Sequence, residues 1–343
     1  MPEIQKKTGV LLANIGSAAK PEVPEVRAYL GQFLSDPRII DIAAWKRKII
    51  VNCFILPFRP KYTAEAYRAI WTERGSPLLA FSEDFRDALS EALPELEIQI
   101  GMAYGEPSLN GAFDALIAAQ VDRILVVPMF PQYASATTGS VLDCVYRAAA
   151  KRWNVPSLTV LPPFYEDAGF LDAWKAVAEA PLAEFKPDHT ILSYHGLPER
   201  QIRKSDPTGA HCLCKEDCCE TRTVANQFCY RRQCMETSKA LVDRLGLEEG
   251  KYTVAFQSRL GRDPWLKPAT DTTIEALAKQ GVKRLAVLSP AFTADCLETL
   301  EELGIQGKES FQEHGGEDLM LVPSLNAHPH WVEGMAALIR GVL

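Results

Sequence analysis

The sequence predicts an α/β protein built from two doubly wound parallel sheets, and two observations carry this prediction. Short apolar runs of strand length alternate along the chain with longer stretches of helical periodicity. Such alternation is typical of parallel sheets whose strands are joined by right-handed helical crossovers. The chain also has 343 residues, and roughly seven predicted strands fit two sheets better than one wide sheet.

The predicted elements run through the whole chain. Strands are expected at residues 8–14, 98–103, 123–129, 157–161, 189–194, 252–256 and 284–288. Helices are expected from Glu22 onwards, where Pro24 suits a first turn, and at residues 82–93, 109–119, 168–178 and 270–279. Two prolines follow Leu161 and predict a boundary between domains 1–161 and 162–343, with the last helix packing back on the first domain.

Composition and charge exclude several classes of protein. The chain is 47% hydrophobic and 24% charged, as ordinary globular proteins are, and its formal net charge of −7 argues against a nucleic-acid partner. No apolar run approaches the roughly 20 residues that span a bilayer. The apolar stretch near the N-terminus is too short for a signal peptide. We therefore expect a cytoplasmic protein.

Residues 45–60 interrupt the alternation of strands and helices. This segment, WKRKIIVNCFILPFRP, is a mostly apolar run with basic residues at both ends. One interpretation is a core helix. The other is an exposed apolar lip with basic edges, which would suit a lipophilic ligand or an anionic membrane surface.

A histidine and a group of acidic residues follow two of the predicted strands, where ligands of open parallel sheets bind. His195 follows strand 189–194 and is either a structural residue or a base whose ordinary pKa lies near neutrality. If a helix begins at Thr293, then Asp295, Glu298 and Glu302 share one helical face. That face is either solvated or a column of carboxylates that passes metal ions or protons, with some pKa values raised by repulsion.

Eight motifs in order make this chain resemble the ferrochelatases, from Gly9 to about Trp331. They are Leu12-Ala13-Asn14-Ile15-Gly16, Gly75-Ser76-Pro77-Leu78, Pro131-Gln132-Tyr133 with Thr137-Thr138-Gly139-Ser140, Ser193-Tyr194-His195-Gly196-Leu197-Pro198, Gln257-Ser258-Arg259-Leu260-Gly261, Pro264-Trp265-Leu266, Asp295-Cys296-Leu297-Glu298-Thr299-Leu300-Glu301-Glu302 and Ser324-Leu325-Asn326. The resemblance implies two Rossmann-like domains of the chelatase fold, with a porphyrin cleft between them and no nucleotide. It also implies a lyase that inserts Fe²⁺ into a porphyrin during haem synthesis and releases two protons.

The resemblance also implies roles for particular residues. His195 and Glu298 match the central catalytic pair, and whether His195 accepts a proton or delivers iron stays open. Asp295 and Glu302 continue the metal path. The positions expected to contact the porphyrin are Ile15, Arg59, Tyr67, Ser76, Tyr104, Trp265 and Phe292, of which Arg59 and Ser76 are the candidates for the propionates.

Two departures from related enzymes bear on the substrate. Cys296 stands where the animal enzymes carry a second histidine, and Ile15 stands where coproporphyrin-type enzymes carry a tyrosine. The chain is more similar to the protoporphyrin-using enzymes of Gram-negative bacteria, so protoporphyrin IX is the expected porphyrin. Coproporphyrin or another metal is the alternative. A lipophilic substrate is compatible with peripheral contact on the inner membrane, and a homodimer is compatible with the sequence.

Most of the nine cysteines fall in one insertion, at about residues 205–234, which indicates metal or redox chemistry. Ser135 stands where several ferrochelatases carry the first ligand of a [2Fe–2S] cluster, so this chain is instead similar to bacterial members with an internal cluster. The expected ligands are Cys212, Cys219, Cys229 and Cys234, with Cys218 or Cys214 as alternates. A zinc site that uses His211, or no metal, is the alternative.

Two further classes of protein compete with the chelatase interpretation. A nucleotide-dependent oxidoreductase would need a Gly-x-Gly-x-x-Gly turn after the first strand, where residues 14–19 contain a single glycine. A non-catalytic tetrapyrrole or metal sensor would use the cysteine segment, but it would not need His195 opposite a carboxylate column.

Overall fold

The protein is described by a computed structural model that covers residues 7–259, 261 and 263–343. Its strands are Thr8–Gly16 (β1), Glu97–Tyr104 (β2), Arg123–Pro128 (β3), Ser157–Val160 (β4), His189–His195 (β5), Tyr252–Gln257 (β6), Arg284–Leu288 (β7) and Asp318–Leu321 (β8). Leu260, which belongs to one of the motifs, and the start of the N-terminal stretch lie outside the described residues.

The strands are connected mainly by helices. The α-helices are Val23–Ser35 (α1), Ala44–Ile49 (α2), Arg59–Ile70 (α3), Pro77–Ala92 (α4), Leu109–Ala118 (α5), Ser140–Ala150 (α6), Ala168–Phe185 (α7), Glu199–Lys204 (α8), Tyr230–Leu245 (α9), Thr270–Lys279 (α10), Lys308–Glu313 (α11) and Pro329–Val342 (α12). Ile50–Ile55, Ser135–Gly139 and Leu297–Gly307 are π-helical, and Val224–Asn226 is a 3₁₀ turn.

The strands form two four-stranded sheets in which every pairing is parallel. The first sheet has the order β2-β1-β3-β4 and the second has the order β6-β5-β7-β8. In each sheet the first strand in sequence has neighbours on both sides, so the helical crossovers wind in both directions. The predicted fold class of two doubly wound parallel sheets is therefore confirmed.

The chain divides into two compact units. The first contains the described residues up to Phe130 together with Ser135–Pro163 and Val332–Leu343, and the second contains Pro131–Ala134 and Phe164–Trp331. Each unit has its own apolar core between sheet and helices. In the first, Leu11 and Val126 pack with Phe113, and in the second, Ile191 and Val287 pack with Phe311. Burying each such side chain contributes about 1.5–3 kcal/mol.

The differences between the structure and the predicted elements include a strand that was missed and a helix that begins later than expected. Strand β8 was not predicted, because it has only four residues and lies at the edge of the second sheet beside β7. The prediction of a helix that begins at Thr293 is wrong. The helix begins four residues later, at Leu297, and Cys296 is its N-cap.

The segment at residues 45–60 is an exposed lip, not a core helix. It comprises α2, the π-helical turn Ile50–Ile55 and the start of α3. Trp45 is 64% exposed and Phe54 and Phe58 are each 66% exposed, whereas Val51 is buried. Among the described residues, no helix combines the length and apolar character needed to cross a membrane.

Candidate functional site

The carboxyl edge of the second sheet carries the predicted histidine. Strand β5 ends at His195, which pairs in register with Gln257 at the end of β6. Nδ1 of His195 lies 2.7 Å from the carbonyl oxygen of Gly196. A carbonyl oxygen can only accept, so Nδ1 carries the hydrogen of this bond and Nε2 becomes the basic nitrogen of the neutral ring.

The loop after His195 is held closely against Trp265. The N–H of Gly196 donates to the carbonyl oxygen of Gln257 at 2.8 Å, and the N–H of Leu266 donates to the carbonyl oxygen of Leu197 at 3.0 Å. A Cβ on residue 196 would lie 2.7 Å from the Gln257 carbonyl oxygen and 3.3 Å from the Trp265 ring. Glycine at position 196 therefore allows the approach of the indole to the histidine loop.

Gln257 connects the sheet edge to the helix of acidic residues. Its buried side chain accepts a hydrogen bond from the Ser193 hydroxyl at 2.9 Å and donates through Nε2 to the carbonyl oxygen of Glu298 at 2.7 Å. The backbone of Glu298 is thereby fixed to the strand beside His195. The sequence indicated Gln257 only as part of a motif, and its polar side chain at a strand end was the available signal for this role.

Of the three acidic residues of the predicted column, Glu298 and Glu302 lie on the helix itself. Asp295 precedes the helix and is only 3% exposed, and its carboxylate accepts from the Thr299 hydroxyl at 3.0 Å and from the Asn326 amide at 2.8 Å. The N–H of Ser324 lies 3.2 Å from it. These hydrogen bonds offset the cost of burying the carboxylate. They also anchor the start of the helix to Asp295.

Glu298 and Glu302 lie on the helix itself, in its first turn and four residues later. The hydroxyl of Ser258 donates to Oε2 of Glu302 at 2.5 Å. Burial, and then repulsion by Glu298, raise the pKa of Glu302 to about 7. Glu302 can therefore bind and release a proton near neutral pH. The raised pKa is the effect expected from repulsion between neighbouring carboxylates.

Glu302→Gln is expected to stabilise the protein at high pH. In the folded state the Glu302 carboxyl keeps its proton up to about pH 7, whereas the ordinary pKa of a glutamate is 4.5. The unfolded chain releases that proton first, so stability falls between these values and the loss is complete above pH 7. The amide cannot ionise, and we expect the variant to exceed wild type by about 2 kcal/mol at pH 8, after allowance for its partial exposure.

Urea unfolding at pH 4 and pH 8 measures this difference. The two proteins should have similar stability at pH 4, where Glu302 is protonated in both states. Glu309→Gln, at an exposed glutamate in the next helix, is the control. Equal stabilities of wild type and Glu302→Gln at pH 8 would contradict the raised pKa.

The remaining predicted residues of the second unit are Trp265 and Phe292. Both are partly buried, and Phe292 follows β7 at the same sheet edge from which His195 emerges. Its N–H donates to the carbonyl oxygen of Ser289 at 3.0 Å, which turns the chain just beyond the strand.

The predicted residues of the first unit gather around the end of β1. Ile15 is partly buried there, and Gly16 pairs in register with Tyr104. The Tyr104 hydroxyl donates to Asp36 at 2.6 Å, and burial raises its pKa. The buried Tyr67 hydroxyl accepts from Ser17 at 3.3 Å.

The two candidates for propionate contacts lie on helices of the first unit. Arg59 is exposed and is the first residue of α3, the helix that carries Tyr67. Ser76 is buried at the N-cap position of α4. Arg59 and Tyr67 therefore lie on the same helix, α3, whereas Ser76 precedes the next helix, α4.

The thiols of the cysteine segment converge in the second unit. The thiol of Cys229, at the N-cap of α9, interacts with those of Cys212 and Cys219. Sγ of Cys218 lies 3.9 Å from Sγ of Cys219. Cys234 is fully buried one turn into α9, and burial raises its pKa.

The outer members of the segment are placed differently. Cys214 is exposed and lies 3.6 Å from a guanidinium nitrogen of Arg203. His211 directs Nε2 toward the carbonyl oxygen of Cys218 at 2.9 Å. Within the described residues, no group of three or more His, Cys, Asp or Glu side chains is arranged to hold a metal ion. The contacting thiols nevertheless supply the donor atoms that an iron–sulfur or zinc centre needs.

The two doubly wound parallel sheets define an α/β protein with a chelatase-like fold. Its fold is similar to that of the structure described as SirB from Bacillus subtilis with Fe3+, with a TM-score of 0.55, 13% identity, and coverage of 98% of this chain and 95% of that chain. It is also similar to the cobalt complex of the sirohydrochlorin chelatase SirB from Bacillus subtilis subspecies spizizenii, with a TM-score of 0.53, 11% identity, and coverage of 98% and 95%.

Sequence comparison gives the family. The ferrochelatase family model matches residues 7–343. A ferrochelatase of Coxiella burnetii (strain Dugway 5J108-111) is 46% identical over 335 residues, covering 97% of this chain and 93% of that protein. A ferrochelatase of Bdellovibrio bacteriovorus is 44% identical over 337 residues, covering 98% and 99%. The chain belongs to the ferrochelatase family.

Proposed function

We propose that this chain inserts Fe²⁺ into a porphyrin, with protoporphyrin IX as its substrate, and so forms protohaem. The observation that carries the proposal is the carboxyl edge of the second sheet. There His195 binds the Gly196 carbonyl oxygen through Nδ1 and presents Nε2 as its basic nitrogen. Gln257 ties Glu298 to the same edge, and Glu302 has a near-neutral pKa. Membership of the ferrochelatase family supports the same reaction.

The reaction replaces two pyrrole N–H hydrogens with one Fe²⁺ ion, so two protons must leave the porphyrin as iron binds its four nitrogen atoms. Nε2 of His195 accepts a pyrrole proton as a general base. Glu298 relays protons or holds the arriving Fe²⁺, and Glu302 exchanges protons with solvent because its pKa is near 7. Asp295 acts as a positioning residue that fixes the start of the helix through Thr299 and Asn326.

Apolar and aromatic side chains would contact the macrocycle and help to hold it away from planarity. In the second unit these are Trp265, held against the histidine loop, and Phe292. In the first unit they are Ile15, Tyr67 and Tyr104, around the end of β1. Arg59 and Ser76 would bind the propionates.

Anaerobic Fe²⁺ insertion into protoporphyrin IX and coproporphyrin III, followed by absorbance, tests the proposal. We expect turnover of protoporphyrin IX at the higher kcat/KM. Preference for coproporphyrin III would keep the chelatase reaction but overturn the assigned porphyrin. No insertion of iron into either porphyrin by folded protein would overturn the enzymatic proposal.

We also propose that the cysteine segment holds a [2Fe–2S] cluster. The Cys229 thiol interacts with those of Cys212 and Cys219, and Sγ of Cys218 lies 3.9 Å from Sγ of Cys219, which supports ligands drawn from these residues and the buried Cys234. Insertion of Fe²⁺ involves no electron transfer, so the cluster would have a structural or redox-sensing role. Iron, sulfide and zinc analysis of anaerobically purified protein tests this proposal, and zinc in place of iron and sulfide would overturn it.

We propose further that the lip contacts an anionic membrane surface. Exposed aromatic residues lie beside basic ones, because Trp45, Phe54 and Phe58 share this segment with Lys46 and Arg59. Apolar side chains can insert at the headgroup boundary while the cations bind anionic lipid. The enzyme could then bind its lipophilic porphyrin directly from the membrane into which the porphyrin partitions.

Phe54→Ser/Phe58→Ser is expected to weaken binding to phosphatidylglycerol-containing vesicles at least tenfold, because each buried aromatic ring contributes about 1.5–3 kcal/mol. Vesicle sedimentation measures this effect. Trp153→Ser is the matched control, since Trp153 is 99% exposed but lies outside the lip. Wild-type protein that does not sediment with these vesicles would contradict the proposal.

A further inference from the structure

A buried hydrogen-bond network ends at Gln257 in the second unit. The Ser193 hydroxyl donates to Oε1 of Gln257 at 2.9 Å and lies 2.9 Å from the hydroxyl of Thr270. All three residues are buried, so solvent does not compete for these bonds. Thr270 is the first residue of α10, whose N-cap Ala269 bridges to Phe256 of β6. The network therefore joins the start of one helix to the neighbouring strands β5 and β6.

The direction of each bond in this network follows from its last acceptor. The carbonyl oxygen of Glu298 can only accept, so the Gln257 amide must present Nε2 to it, at 2.7 Å, and Oε1 to Ser193. Ser193 has one hydroxyl hydrogen and gives it to Oε1, so Thr270 donates the bond between the two hydroxyls. Each group then has a single role, and an amide turned by 180° would place two oxygen atoms against each other at Glu298.

The same network lies beside the histidine of the proposed reaction. Gln257 pairs in register with His195, and Ser193 precedes His195 by two residues on β5. Side chains two residues apart on a strand leave the same face of the sheet, and so do those of residues paired in register on neighbouring parallel strands. The network is therefore on the face of the sheet from which His195 projects, and it sets where the Glu298 backbone lies relative to the histidine.

We propose that Ser193 and Thr270 are positioning residues of Fe²⁺ insertion, which lock the Gln257 amide and thereby hold Glu298 in place relative to His195. This inference rests on the proposed function. It assigns neither hydroxyl a contact with the porphyrin or with iron, and both act through Gln257. An effect on rate is expected because misplacing a reacting group by about 1 Å can cost about 10²-fold.

Ser193→Ala and Thr270→Val test the inference by initial rates of anaerobic Fe²⁺ insertion, with the porphyrin that wild type turns over faster. We expect kcat to fall about tenfold in Ser193→Ala and about threefold in Thr270→Val, which acts one bond further away, with KM for porphyrin unchanged. Thr270→Ser keeps the hydroxyl and should restore the wild-type kcat. Thr273→Val is the matched control, because the Thr273 hydroxyl donates to the Ala269 carbonyl oxygen of the same helix.

A double-mutant cycle shows whether the hydroxyls act through Gln257. Gln257→Met keeps the length of the side chain and removes the amide, so Ser193→Ala should have little further effect on kcat in that background. Circular dichroism establishes folding, and if Ser193→Ala does not fold, the comparison of Thr270→Val with Thr270→Ser decides.

Three results would overturn the inference and leave the proposed reaction in place. They are wild-type kcat in both Ser193→Ala and Thr270→Val, independent effects of Ser193→Ala and Gln257→Met that multiply, and a loss of kcat in Thr273→Val equal to that in Thr270→Val. Wild-type protein that inserts iron into neither porphyrin would overturn the proposed function itself.

Discussion

His195→Ala is expected to lower kcat for Fe²⁺ insertion by about 10²–10⁴-fold, the usual contribution of a general base. In the folded protein Nδ1 of His195 is bound to the Gly196 carbonyl oxygen at 2.7 Å, which leaves Nε2 to accept the pyrrole proton. Alanine removes this base and leaves the backbone bonds of the loop in place. Initial rates of haem formation under anaerobic conditions, with circular dichroism to establish folding, measure the effect.

A matched substitution separates chemistry from stability. His330→Ala removes an exposed histidine of the same unit and should keep wild-type rates. The loss in His195→Ala should appear in kcat with little change in KM for porphyrin. A loss of about threefold is small beside the expected one. A folded His195→Ala enzyme with a rate within about threefold of wild type would therefore exclude His195 as the base.

Cys229→Ser is expected to remove essentially all bound cluster iron and sulfide. The Cys229 thiol interacts with those of both Cys212 and Cys219, so the substitution removes the thiol that those two share. A serine hydroxyl does not replace the soft thiolate that holds iron in these centres. The variant should also have a lower Tm, because metal binding contributes to the folding free energy of the segment that it closes.

Visible absorbance, iron and sulfide content, and thermal unfolding measure these changes. Cys53→Ser is the control, since Cys53 is an exposed cysteine of the lip. Parallel Cys218→Ser and Cys234→Ser variants identify the fourth ligand, because only the ligating position should lose the cluster. A Cys229→Ser protein with wild-type iron and sulfide would show that the cluster has other ligands.

Much of the fold was predictable because local sequence and tertiary packing agree. Residues 270–279 and 284–288 were predicted as a helix and a strand, and α10 and β7 have these same bounds. Both elements have apolar residues at the spacing that their burial requires. Strand β8 was missed because four residues at a sheet edge carry too little periodicity to predict a strand.

The acidic helix was predicted less well, for a tertiary reason. Its start depends on Asp295, whose carboxylate accepts from Thr299, nearby in sequence, but also from Asn326, which is distant in sequence. These bonds hold the chain extended through Cys296, and the helix then begins at Leu297 as a π-helix. The expected face that included Asp295 assumed an α-helix, whose spacing this segment does not have.

The arrangement of the cysteine segment also could not be predicted from the sequence alone. The sequence identified its thiols, but their contacts depend on Asp206, a buried carboxylate that accepts backbone N–H bonds from Thr208, His211 and Cys212. The Thr208 hydroxyl, and then those backbone bonds, lower the pKa of Asp206, and together they fix the loop that carries Cys212. No spacing rule contains that information.

By itself, the sequence determined the fold class and the family, because alternation and ordered motifs are local properties of the chain. Only the tertiary structure decided that the lip is exposed, that the Asp295 carboxylate is held by Thr299 and Asn326, and that Glu302 has a pKa of about 7. Exposure and pKa depend on which distant residues surround a group and on how much water they exclude. Those neighbours are assembled only when the chain folds.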